Sequence, residues 1–229
     1  MEVNFDKIEK LIEKLKTSSF ISNVNFESGL GISTEDFLDY SKEYTITISD
    51  EIKSFYSEFD GLRLSWNYIS GHVESNQTII SENTKILPFY QMISGYDGNF
   101  WEGEIWSQNT SEKISSFYKR LKVFDYIEND NVHCICLELS LDNMLTPKMW
   151  IFRGGYTPIP LNIDITQYVD KLCQTKGFWG WQYLFTDIDL NSPENEGIKL
   201  GLKDSLRSYL NFFPEMRHLD FYKRMKQFL

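Results

Sequence analysis

The stretch that most constrains this chain is residues 162–185, NIDITQYVDKLCQTKGFWGWQYLF. Ile165, Tyr168, Val169 and Leu172 fall at i, i+3, i+4 and i+7, one face of a helix. Asp164 is placed to cap its start, and Gly177 suits a left-handed stop. Phe178, Trp179, Trp181, Tyr183 and Phe185 follow within eight residues. Each such ring buries ~150–250 Å², so the cluster belongs where helix, sheet and C-terminal tail meet. At 229 residues, 41% hydrophobic and 16% aromatic, the chain has the material for a real core and is not a disordered one.

Charge narrows the partners. The chain has 23 basic and 33 acidic residues, net −10, which repels phosphates and argues against nucleic acid or an anionic membrane. A basic protein is the natural partner. From Lys199 onward seven basic residues face three acidic ones, so this tail is +4 and the rest of the chain −14. Between Asn25 and Asp60, nine acids face only Lys42 and Lys53. A basic tail on an acidic body predicts docking of the tail on that body. Three cysteines and an opening MEVNFDKIEK without a signal-peptide pattern suggest reduced thiols and a cytoplasmic location. No apolar run approaches the ~18 residues of a membrane span.

In chain order, residues 4–17 predict an amphipathic helix capped by Asn4, and 17–39 irregular chain with a helical turn near Glu35. Residues 44–48 suggest an edge strand. Residues 48–61, ISDEIKSFYSEFDG, predict a helix capped by Ser49, buried through Ile52, Phe55, Tyr56 and Phe59 and ended by Asp60-Gly61. Next, Leu62, Leu64, Trp66 and Tyr68 alternate with polar residues as in a half-buried strand. Short strands near 78–80 and 86–89, a helix over 112–121 behind Thr110 or Ser111, and strands over 132–139 and 148–154 follow. The tail predicts helices at 199–212 and 215–228, broken at Pro214. Trp66, Trp150, Trp179 and Trp181 are assigned to the core. Helices and strands without βαβ order give an α+β fold: one mixed, mainly antiparallel sheet of four to six strands with flanking helices. The expected organisation is a lead-in over 1–44, a core over 45–188 and a helical extension over 189–229.

The helix ISDEIKSFYSEFDG leading into a strand with Trp66, then FDYIENDNVHCICLEL from Phe124 and PLNIDITQYVDKLCQTKGFWGWQYLF, resemble the SUKH superfamily, the Smi/Knr-type domain. The resemblance covers roughly 45–186 and is strongest over 177–183. It departs from the family's usual proline before the first helix, here Ile48-Ser49, and from its Asn-Gly, here Asp60-Gly61. It implies a binding module without catalytic residues. Many bacterial members look like immunity proteins that neutralise nuclease or deaminase toxins by direct contact, whereas fungal members suggest a regulatory scaffold of cell-wall or stress signalling.

The chain has no phosphate-binding Gly-rich loop ending in Lys-Ser/Thr, no Gly-x-Ser-x-Gly and no His-Glu-x-x-His. Cys134-x-Cys136 is the one metal-like spacing, and with one further cysteine and three histidines it predicts buried, inert thiols and no metal or cofactor. The segment 96–106, YDGNFWEGEIW, places Glu102 and Glu104 between Trp101 and Trp106. Paired acids with aromatic platforms can build a glycoside-cleaving cleft. A packed hairpin with solvated acids, or a protein interface, are the other readings. Candidate partner-binding residues are therefore Tyr90, Tyr96, Trp101 and Trp106, with Asp97, Glu102 and Glu104 steering, and the helix acids Asp50, Glu51 and Glu58 as a second face.

Overall fold

A computed structural model describes residues 5–70, 78–95, 111–126, 133–153 and 156–226. Its helices are α1 (Phe5–Thr17), α2 (Thr34–Glu43), α3 (Asp50–Glu58), α4 (Phe89–Ser94), α5 (Glu112–Arg120), α6 (Ile165–Thr175), α7 (Glu196–Phe212) and α8 (Tyr222–Met225). Its strands are β1 (Ile21–Ser28), β2 (Thr47–Ile48), β3 (Leu62–Ser70), β4 (Thr78–Ile86), β5 (Leu121–Tyr126), β6 (His133–Leu139), β7 (Met144–Arg153) and β8 (Ile159–Pro160). The strand order is β1-β3-β4-β5-β6-β7-β2, with β8 beside β7. β4 to β8 pair antiparallel in succession, whereas β2 joins β7 parallel. The class is α+β with a mixed sheet, and its eight strands among the described residues exceed the four to six expected.

The extra strands and other departures have local causes. Residues 21–28 form β1, and 34–43 a full helix, where irregular chain was expected. β5 follows α5 without a turn, and a bulge between Val123 and Asp125 breaks its alternation. There the buried Asp125 accepts the Lys85 backbone N–H at 3.0 Å. The short strands expected near 78–80 and 86–89 are one strand, β4, which ends at Ile86 opposite Asp125, and Phe89 opens α4 behind Pro88. β7 runs straight through Pro147. The register jumps from Leu137 opposite Met149 to Glu138 opposite Thr146, so Pro147 sits in a bulge that needs no ladder N–H. Where one helix over 215–228 is expected, the described residues, up to 226, give a 3-10 turn (Pro214–His218) and the short α8.

The chain divides into two compact units, one of Glu27–Arg63 and Thr84–Thr166, the other of Asn4–Phe26, Leu64–Asn83 and Gln167–Leu229. In the first, Phe55 of α3 meets Phe59, Tyr56 and Phe124 edge-on, at ring distances of 5.7, 5.0 and 5.5 Å. Ser49 stands at the cap position of α3, but its hydroxyl makes no cap bond; its N–H instead donates to the Leu145 carbonyl. Trp150 is half-buried rather than core. Its Nε1 donates to Glu138 Oε2 at 3.1 Å, while Arg120 holds Glu138 Oε1 at 3.0 Å.

In the second unit Tyr209 of α7 is the hub. Its fully buried ring lies 5.4 Å from Trp66, 5.6 Å from Tyr68 and 5.1 Å from Phe178. Trp181 packs on Tyr168 of α6 at 4.9 Å, and Phe185 on Phe221 at 5.7 Å. The aromatic cluster thus joins helix, strand and tail, as its density predicts. α6 stops one residue earlier than glycine alone would require: Lys176 is itself left-handed (φ 62), followed by Gly177 (φ 69). Its ammonium turns back to donate to the Cys173 carbonyl at 2.8 Å, satisfying a last-turn acceptor. Burial, with the Lys14 charge adding to it, pushes that amine down to about 8. Trp179 is half-buried, its ring against α7 at Gly201.

Two glycines of α7 make a controlled comparison. A Cβ at Gly197 would meet nothing within 4 Å, whereas one at Gly201 would lie 2.4 Å from the Trp179 ring. Gly197→Ala is expected to stabilise the protein by up to about 1 kcal/mol, through helix propensity. Gly201→Ala is expected to destabilise it by about 1–3 kcal/mol through overpacking. Urea unfolding of both variants checks the opposite signs.

Candidate functional site

Within the first unit, α2 is fixed by a capping box that Ser33-Thr-Glu-Asp36 spells out. Ser33 Oγ accepts the Asp36 N–H at 3.1 Å, and Asp36 Oδ2 accepts the Ser33 N–H at 3.2 Å. The helix buries Phe37 and carries Tyr40, with Tyr44 as its C-cap; positions three and seven residues on from Phe37 keep all three on one side.

Opposite stands α4. Tyr56 packs on Phe89 at 5.1 Å and its hydroxyl donates to the Leu87 carbonyl at 3.0 Å. Phe37 and Tyr40 each lie 5.4 Å from Phe89, and Tyr90 lies 6.3 Å from Tyr40. An aromatic ladder therefore climbs from the buried Tyr56 to Tyr90, which is 51% exposed. Asp60 supports it. Its Oδ1 accepts the Phe89 N–H at 2.6 Å, capping α4 with a charge at the favourable end of the helix.

Carboxylates surround these rings. Burial first, then the charges of Asp60, Asp36 and Glu43, push the Tyr40 hydroxyl up. Burial, followed by Glu43 and Tyr90, pushes the Tyr44 hydroxyl up to about 12. Burial raises Asp60 against the opposing pull of the Phe89 N–H. Tyr40 and Tyr44 thus remain neutral phenols at ordinary pH, each offering a ring and a hydroxyl. Asp39 and the apolar Leu38, both exposed, flank them on α2, and Lys42 lies 3.4 Å from Asp39.

Of the residues expected from sequence, Tyr90 is brought into this cluster. Asp50 and Glu51 face solvent in the first turn of α3 and Glu58 lies in its last turn, so the helix spreads them over ~12 Å. Tyr96, Asp97, Trp101, Glu102, Glu104 and Trp106 lie outside the described residues. Neither Tyr40 nor Tyr44 is singled out from sequence: an irregular stretch is expected to end at Asp39 and an edge strand to begin at Tyr44, where the structure has α2 and its C-cap; the Ser33–Asp36 box and the 37/40/44 aromatic spacing are the legible signals.

Other chemistry-bearing groups are buried. Cys134 and Cys136 are both buried with sulfurs 3.6 Å apart, and burial, with the Cys134 hydrogen bond, pushes the Cys136 thiol well up. A thiol held protonated is a poor nucleophile and a poor metal ligand. Among the described residues no group of three or more His, Cys, Asp or Glu could hold a metal ion, and no helix is long and apolar enough to cross a membrane. In the second unit Glu82 of β4 is 4% exposed, and its Oε1 has no hydrogen-bond partner. Burial pushes this carboxyl up to about 8, despite the opposing Tyr209 hydroxyl and Trp179 backbone N–H. Neither a scan of protein-family profiles nor a search of curated proteins finds a match.

Glu82 makes stability depend on pH. Its folded state keeps a proton that the unfolded chain releases near 4.5, so stability falls as pH rises from about 4.5 to about 8. The slope reaches at most about 1.4 kcal/mol per pH unit. Glu82→Gln, which cannot ionise, is expected to flatten that dependence in denaturant unfolding run between pH 5 and 8.

Proposed function

We propose that this chain is a protein-binding module of the immunity type, occluding a basic bacterial toxin domain of nuclease or deaminase kind at one-to-one stoichiometry. The observation that carries a binding role is the grouping of Tyr40, Tyr44 and Tyr90 on two packed helices, rimmed by Asp36, Asp39, Glu43 and Asp60. Tyrosine supplies broad contact area while freezing only two side-chain torsions. The rings stand on a buried aromatic stack, so little order remains to be imposed on binding. Carboxylates around them, on a chain of net charge −10, attract a cationic surface and accelerate encounter. The SUKH-like order of helix, Trp-bearing strand and Gly-aromatic ending is what narrows the role from binding in general to immunity.

The partner to test is a basic toxin domain encoded beside this chain's gene. Calorimetry is expected to give a one-to-one complex in which toxin activity is blocked. Combining Tyr44→Ala with Tyr90→Ala should weaken it at least tenfold, about 1.4 kcal/mol. Asp39→Lys with Glu43→Lys should slow association at low salt, and the difference should shrink at high salt. Affinity and rates equal to wild type in both variants would remove this face from the interface.

A further inference from the structure

Leu30 is 93% exposed, the most exposed of the large apolar side chains in the described residues. It does not sit on a slack loop. The flanking Gly29 and Gly31 are pressed against the C-terminal end of α3: a Cβ at Gly29 would lie 2.2 Å from the Asp60 carbonyl oxygen, and one at Gly31 1.8 Å from that of Ser57. No side chain fits at either place. Hydrogen bonds pin the strap at both ends, with the Gly29 N–H donating to the Gly61 carbonyl at 3.2 Å and the Ile32 N–H to the Tyr56 carbonyl at 2.8 Å. Two glycines held this closely fix the backbone on either side of one leucine and leave its side chain in water.

Exposing a leucine is unfavourable unless something covers it, and clamping it first removes the entropy that covering would otherwise cost. We propose that Leu30 is a preorganised apolar anchor of the same binding face, inserted into a small hydrophobic socket ringed by basic residues on a protein partner. The argument for a basic rim is charge. The strap's backbone rests on the main chain of Ser57, Glu58 and Asp60, two of them acidic residues; Glu27 precedes it, and Glu35 and Asp36 open the helix that follows. Continuity with the tyrosine cluster runs through Asp60, which touches the strap by its main chain and caps α4 by its carboxylate. This inference rests on the binding role proposed above, since it names a residue and a socket chemistry for that face.

The test uses the full chain and the same purified basic toxin domain. Leu30→Ala should weaken the complex at least tenfold, mainly by faster dissociation, with an unchanged unfolding midpoint because Leu30 contributes no core contact. Leu30→Met, which keeps an apolar plug, should stay within about threefold of wild type. A complex that Leu30→Ala leaves intact, while Tyr90→Ala still weakens it, overturns the anchor and keeps the face. If wild-type protein forms no complex with that domain, the anchor and the binding role both fall.

Discussion

The bond from the Phe89 N–H to the Asp60 carboxylate, 2.6 Å long, is the joint on which the first unit turns. Asp60 lies two residues beyond the end of α3, and Gly61 beside it adopts φ 86 so that the chain can enter β3. A Cβ at Gly61 would also come within 2.9 Å of the Pro88 nitrogen, so the glycine permits the approach that lets Asp60 reach α4. One residue pair thereby ends one helix, starts another and supports the strap that presents Leu30. Charge in a partly desolvated place is tolerated because an orphan N–H of a helix start answers it.

Much of this was legible in the chain. The α3 periodicity, the alternation of Leu62, Leu64, Trp66 and Tyr68, and the density of rings after Gly177 each depend on a local period, and each gave the element observed. What failed was non-local. β5 gains its place from partners on both sides, and its bulge at Asp125 erases the alternation that would announce it. Phe89 reads equally well as strand or helix until Asp60, twenty-nine residues earlier, caps it. Of the site, Tyr90 was found as an aromatic in a polar stretch; Tyr40 and Tyr44 were not, because α2 is short and its signal lies in a capping box rather than in hydrophobic periodicity.

The two units spend their aromatics differently. In the second, rings surround Tyr209 and close over Glu82, a polar group left in an apolar setting with one oxygen unanswered. In the first, the stack is open at one end, and its last rings meet water among carboxylates. A buried ring contributes to folding alone, whereas a ring held at the surface by buried ones has its geometry settled before any partner arrives.

The bulge at Pro147 has a further effect on β7. Before it, Met144 and Leu145 pair with β2; after it, Trp150 and Ile151 pair with β8. Each guest strand is only two residues long, and between them the backbone offers a proline without an N–H and a kink. A foreign strand looking for a template would find no long straight run of unpaired donors and acceptors there, only short occupied pieces out of line with one another. The irregularity that hid this strand's length from the sequence also guards its edge against uncontrolled self-association between copies of the protein.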